Sequence, residues 1–122
     1  MQQGTPFIYQ GQEIGMTNIE LKSIDNYDDL GTKNSYYEDI ENGISEEAAI
    51  TRVWNSSRDN SRTPMQWDDS KNAGFSENDD TWFEVNPNYV DINVKNQQYD
   101  ENSILNFYKK MIKVRKENEA LI

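Results

Sequence analysis

Two arginines offer the clearest chemistry in this sequence. Arg58 and Arg62 stand four positions apart, so one helical turn would point both guanidinium groups in the same direction, although Pro64 discourages the helix from continuing. A guanidinium fork can bind sugar hydroxyls or orient a carboxylate through paired hydrogen bonds. It can equally tie down its own loop, through Asp59 or a backbone carbonyl. Both roles stay open, and Arg62 and Arg58 are our main candidates for substrate binding.

Glu13 is the third candidate for substrate binding. It follows residues 5–9, a short apolar run between glycines that predicts a β-strand buried on both faces, with Pro6 at its start. A carboxylate just beyond a strand could accept a hydrogen bond from a sugar or hold a neighbouring cation. It could also form a purely structural ion pair, and the residues alone do not choose between these roles.

Composition excludes several other kinds of site. The chain has no cysteine and no histidine, which removes disulfides, thiol catalysis, the usual zinc sites and Ser-His-Asp chemistry. Its formal net charge of -10 argues against a nucleic acid or an anionic membrane as partner. Asp25, Asp28 and Asp29 form a cluster that we interpret as ordinary solvated loop acids. No signal-peptide pattern and no membrane-spanning run is visible.

The elements that must position these residues can be predicted from spacing and capping signals. A helix over residues 33–42 should stop at Gly43, and Ser45 should cap a second helix. A final amphipathic helix should start after Asn102 or Ser103 and run to about residue 118. We expect the rest to be loop, in two stretches: residues 12–32, and the aromatic-rich residues 55–102.

The predicted inventory contains a single strand, which cannot form a sheet. A parallel strand buried on both faces needs neighbours, and none is predicted elsewhere in the chain. The 122 residues should therefore be part of a larger unit.

Three stretches of the chain resemble one enzyme family. They are GTPFIYQGQEIGM over residues 4–16, SRDNSRTPMQWD over residues 57–68, and VNPNYVDINV over residues 85–94. The first is similar to the last barrel strand and following loop of the α-amylase superfamily. The second resembles a loop of the family 13 branch of oligo-1,6-glucosidases and α-glucosidases, which also contains dextran glucosidases and trehalose-6-phosphate hydrolases.

The resemblance implies the α/β fold class, as a (β/α)8 TIM barrel. Residues 1–122 would form its C-terminal segment: the eighth strand, a long insertion with short helices, and the eighth helix. The catalytic carboxylates of the family lie on the fourth, fifth and seventh strands, so we assign no catalytic residue here. The segment would supply pocket wall and pack against the upstream part of the same barrel. We expect no metal site and no organic cofactor.

The function implied by the resemblance is retaining hydrolysis of terminal α-1,6 or related bonds in short oligosaccharides, by a cytoplasmic enzyme of carbohydrate metabolism. Trehalose-6-phosphate hydrolysis and sucrose isomerisation are alternatives within the family. A non-catalytic relative acting as a structural partner is a further alternative. Met1 is expected to be internal to a longer reading frame, and the isolated segment to be inactive.

Overall fold

The computed structural model describes residues 3–121, which fold into helices and turns. The α-helices are α1 (Leu30–Glu41), α2 (Glu46–Ser56), α3 (Val94–Gln98) and α4 (Ile104–Lys116). Short 3-10 turns lie at Gln12–Ile14, Ile24–Asn26, Arg58–Ser61, Lys71–Gly74, Pro87–Val90 and Glu119–Leu121. No helix of the described part has the length and apolar character needed to cross a bilayer.

The chain divides into two compact units. The first unit contains the residues up to Met16, Met65–Thr81, and the residues from Pro87 onward. The second unit contains Thr17–Pro64 and Trp82–Asn86.

The strand predicted over residues 5–9 is wrong for this structure. The described residues contain no β-strand, and this run is exposed, with Phe7 92% accessible to solvent. A strand is held by hydrogen bonds to a neighbouring strand, and no other segment of the described chain is extended beside it. The run is apolar, as the sequence shows, but within the described residues nothing pairs with it or buries it.

Local capping determines the helices of the second unit. The side chain of Asp29 accepts a hydrogen bond from the amide of Thr32 at 2.8 Å and so begins α1. Ser45 accepts from the amide of Ala48 at 3.3 Å and begins α2, as its position predicts. The predicted stop is confirmed as well, since α1 ends at Glu41 and Gly43 follows with φ of 83°.

The core of the second unit is built mostly from irregular chain. Four of its five buried members come from the stretch that we expected to be plain loop, and α2 adds one: Ile19, Leu21, Ile24, Tyr27 and Val53. Trp54 packs against this cluster and donates its indole N–H to the carbonyl of Leu21 at 2.8 Å. The absence of periodicity in residues 12–32 predicted irregular backbone, which is correct only as far as Asp29 because α1 begins at Leu30. It also concealed how deeply these side chains are buried.

Gln97 of α3 organises the first unit. It donates to the carbonyl of Ile14 at 2.7 Å and accepts from the amide of Leu105 at 3.1 Å. It therefore joins the 3-10 turn that carries Glu13 to the start of α4. Ser103 caps α4 by accepting from the amide of Asn106 at 3.2 Å, as predicted, yet no residue of α4 is buried.

Candidate functional site

The arginine loop of the second unit, residues 57–62, is built around a buried carboxylate. Ser57 accepts a hydrogen bond from the amide of Asp59 at 3.1 Å, which starts the 3-10 turn Arg58–Ser61. The turn directs the side chain of Asp59 inward, where it is completely inaccessible to solvent. A buried carboxylate is tolerated only when its oxygens are paired, so its partners define the site.

The two oxygens of Asp59 have different partners. Oδ2 accepts hydrogen bonds from the backbone amides of Asp28 at 2.8 Å and Asp29 at 3.0 Å. Oδ1 accepts from Nη1 of Arg62 at 2.7 Å. One carboxylate thus fastens the arginine loop to the segment that precedes α1 and also holds a guanidinium group.

Arg62 is anchored but still accessible. Its side chain is 39% exposed while it is paired with Asp59, and a second carboxylate oxygen, on Asp29, lies 3.9 Å from Nη1. The alternative in which this arginine ties its loop down through Asp59 is therefore confirmed. The contact with Asp59 engages one of the five guanidinium N–H donors, so the group keeps hydrogen-bonding capacity for a ligand.

Asp29 brings the two predicted arginines into one electrostatic environment. Hydrogen bonds from the amide and hydroxyl of Thr32 are the main cause that holds the pKa of the Asp29 carboxyl below its ordinary value. The positive charges of Arg58 and Arg62 lower that pKa further. Both arginines therefore influence the same carboxylate, and Arg58 and Asp29 line one cleft.

Arg58 itself is exposed and lies at the edge of a cleft. The cleft has a volume of about 400 Å³ and is lined mainly by polar residues of α1 and α2. Its charged members are Asp29, Asp39, Arg52 and Arg58. Asp39 and Arg52 pair across it at 2.7 Å. The structure leaves the guanidinium of Arg58 at the surface, where its substrate-binding role stays a prediction.

Glu13 lies in the first unit, on the turn between Gly11 and Gly15, both of which have positive φ. Its Oε2 atom is buried and receives no hydrogen bond from the described residues. The structural ion pair considered for this residue is therefore not formed within residues 3–121. Across the same part of the chain, no group of three or more acidic side chains is placed to hold a metal ion.

Trp82 adds an aromatic surface to the second unit. It is 76% exposed, its ring lies 4.5 Å from that of Phe83, and its indole N–H donates to Asp28 at 2.6 Å. Within the described chain this side chain is not packed. An exposed, hydrogen-bonded indole is the type of group on which the apolar face of a sugar can stack.

Sequence reasoning missed two residues of this network. Asp59 was considered only as a partner for an arginine, and Asp29 only as a solvated acid. A signal for Asp29 was present, because an aspartate three residues before Thr32 at a helix start is a typical N-cap pattern. No local signal identifies Asp59 as buried, since its amide donors lie about thirty positions earlier in the chain.

Comparison with known proteins gives consistent matches over the whole chain. The family model for the alpha amylase catalytic domain matches residues 1–122. An oligo-1,6-glucosidase of Parageobacillus thermoglucosidasius is 49% identical to this chain. The match spans 100% of this chain and 22% of that protein.

Solved structures also match. The trehalose-6-phosphate hydrolase of Bacillus licheniformis superposes with a TM-score of 0.88 at 44% identity, over 96% of this chain and 21% of its own. The isomaltulose synthase of Klebsiella sp. LX3 gives the same TM-score and identity, over 99% and 22% respectively. The chain therefore spans about a fifth of the length of the relatives that it matches.

Proposed function

Because the chain belongs to the family of alpha-amylase catalytic domains, we propose that the complete protein hydrolyses terminal α-1,6-glucosidic bonds of short oligosaccharides with retention of configuration. The observation that carries this proposal is the 49% identity to an oligo-1,6-glucosidase over every part of the chain. The arginine loop lies inside that matched region.

The surface of the first unit supports a place for this segment in a larger barrel. An apolar groove of about 520 Å³ runs between residues 3–8 and α4, and its lining includes Ile8, Phe107 and Ile112. In a (β/α)8 barrel each strand pairs with two neighbours and each helix packs on the strands. We propose that residues 5–9 become the eighth strand and α4 the eighth helix when the upstream barrel covers this groove.

In this proposal the segment supplies pocket wall and no catalytic carboxylate. Retaining glycosidases use two carboxylates about 5–5.5 Å apart, and we place that pair upstream of this chain. Arg62 is proposed to donate to sugar hydroxyls from its anchored position, with Arg58 beside it. Glu13, on the loop after the proposed strand, is proposed to take part in substrate binding, and its buried Oε2 has no donor among residues 3–121.

Trehalose-6-phosphate hydrolysis is the second candidate, and sucrose isomerisation is the third. The solved neighbours named for these activities superpose equally well on this chain. A non-catalytic role is a further alternative, and the 49% identity to an oligo-1,6-glucosidase over the whole chain favours the enzymatic proposal over it. We also propose a cytoplasmic location, from the resemblance, which cell fractionation would test.

The direct experiment is to express the complete reading frame that contains this chain and to assay isomaltose, trehalose-6-phosphate and sucrose in parallel. Hydrolysis of isomaltose with the α-anomer of glucose appearing first by NMR is the expected result. Preference for trehalose-6-phosphate, or conversion of sucrose to an isomer, would move the protein to the corresponding alternative. Loss of all three activities in a folded protein would refute the enzymatic proposal.

A matched pair of variants tests the role of this segment in the same assay. Arg62→Met should raise KM for the preferred substrate, because it removes the donors while keeping much of the side-chain volume. Lys95→Met removes a cation from the exposed ion pair with Asp69 in the first unit and should leave KM unchanged. An unchanged KM in Arg62→Met would show that Arg62 does not bind the substrate.

A further inference from the structure

The two carboxylate oxygens of Asp59 have different roles, which the sequence alone does not reveal. Oδ2 binds only backbone, through the amides of Asp28 and Asp29, and Oδ1 binds the guanidinium of Arg62. The carboxylate is buried, whereas the side chain of Arg62 is 39% exposed. One end of the interaction is therefore fixed in the protein, and the other end reaches solvent.

This arrangement restricts the motion of Arg62. A free arginine side chain loses considerable rotamer entropy when it binds a ligand, and a pre-formed charge-assisted hydrogen bond reduces that loss. The anchor is itself rigid, because two backbone amides and the turn started by Ser57 hold Asp59 in place. The guanidinium is thus oriented before any ligand arrives.

We propose that Asp59 is a positioning residue that orients Arg62 toward the sugar, and this inference rests on the proposed function of the complete protein. Asp59 makes no contact with substrate itself. It acts through Arg62, and its role in fastening the loop is separable because a different oxygen performs it.

Asp59→Asn separates the two roles in the complete protein. The amide oxygen of asparagine can replace Oδ2 and keep the bonds to Asp28 and Asp29. Its NH2 group then faces Nη1 of Arg62, donor against donor, so the guanidinium loses its anchor while the loop stays fastened. We expect KM for isomaltose to rise about tenfold, the loss typical of one hydrogen bond to a charged group.

The decisive measurement is a double-mutant cycle with Arg62→Met. If Asp59 acts through Arg62, the combined variant should resemble Arg62→Met alone, since an absent arginine cannot be oriented. If the two changes act independently, their effects on KM should instead multiply. KM would then rise about a hundredfold if each single change raises it about tenfold. The four proteins should also be titrated with glucose by calorimetry, which needs no catalysis. As a matched control, Asp69→Asn removes a carboxylate from the exposed ion pair with Lys95, which has the same length of 2.7 Å. This variant should leave KM for isomaltose and the affinity for glucose unchanged.

Each outcome decides one claim. A wild type that binds glucose without hydrolysing isomaltose would refute the proposed function, and the glucose cycle would still test Asp59. Multiplicative effects, a wild type that does not bind glucose, or an Asp59→Asn protein that fails to fold would each overturn the positioning role. The last outcome does so because it would show that the two oxygens do not act separately.

Discussion

Gly11 is the position at which a single methyl group should most disturb the turn that carries Glu13. The residue has φ of 89°, and a Cβ atom added there would lie 2.5 Å from Sδ of Met16 and 3.1 Å from its Cβ and Cγ. Gly43 provides a matched control, because it has φ of 83° and no heavy atom within 4 Å of an added Cβ. Both replacements by alanine impose left-handed backbone, but only Gly11→Ala adds crowding.

The expected free energies follow from these two contributions. A left-handed conformation costs an L-residue roughly 1–2 kcal/mol. Alanine also restricts the unfolded chain, which offsets about 0.4–1 kcal/mol. Gly43→Ala should therefore destabilise its turn by about 1 kcal/mol. Gly11→Ala should reach about 2–4 kcal/mol, because forcing an extra carbon into a filled space adds about 1–3 kcal/mol. Sδ of Met16 can swing away, but its Cβ is fixed to the backbone.

Amide hydrogen exchange on the complete protein measures each turn separately. The amides of Ile14 and Met16 both donate to the carbonyl of Gly11, at 3.2 and 2.9 Å, and report on that turn. The amides of Gly43 and Ile44 donate to carbonyls of α1 and report on the control. Since 1.4 kcal/mol corresponds to a factor of ten, exchange should accelerate roughly 30-fold or more at the first site and about fivefold at the second.

Equal acceleration at the two sites would refute the crowding argument. In that case the left-handed backbone alone would account for both changes. The contact between Met16 and an added Cβ at position 11 would then not contribute to the destabilisation. Adding Met16→Ala to Gly11→Ala provides the complementary test. This second change removes Sδ and Cγ, so exchange should return toward the value of the Gly43→Ala control.

Three further predictions concern helix caps and exposed surface. Ser103→Ala should lower the stability of α4 by about 1 kcal/mol, seen as faster exchange over its first turn, because it removes the bond from the amide of Asn106; unchanged protection would contradict the cap. The pKa of Asp29 is lowered in the folded protein, so its stabilisation of α1 is present above the unfolded value near 4 and is lost as the pH falls through the folded value. Exchange in α1 should therefore accelerate on acidification in the wild type but not in Asp29→Asn, and parallel pH profiles would argue against this linkage. The 122-residue chain expressed alone should self-associate through exposed apolar groups such as Phe7, so sedimentation should show larger species that diminish in Phe7→Ser; identical profiles would place the contact elsewhere.

The helix boundaries were predictable because their causes are local. Ser45 and Ser103 bond to amides three positions later in the chain, so each cap is determined within one turn of backbone. Gly43 stops α1 for an equally local reason, since its positive φ suits glycine. Such signals can be read from the sequence without knowledge of distant partners.

The strand over residues 5–9 could not be decided in the same way. Its apolar, β-favouring composition is local, but a strand exists only when another strand accepts its hydrogen bonds. The described chain supplies no such neighbour, and Phe7 lies exposed. The burial of Ile19 and Leu21 was missed for the opposite reason: their irregular backbone shows no period, although tertiary packing covers both.

For the site, the sequence by itself determined which side chains could do the chemistry, and only the tertiary structure decided how they are held. The types and spacing of Arg58 and Arg62 indicate recognition of hydroxyls or carboxylates, because the geometry of a guanidinium group is fixed by its covalent structure. The burial of Asp59 and its bonds to the amides of Asp28 and Asp29 join segments thirty positions apart. No local preference specifies those bonds, since a carboxylate in water is hydrated and does not favour these two amides over other donors. They form because the fold removes Asp59 from solvent and leaves these amides as its partners.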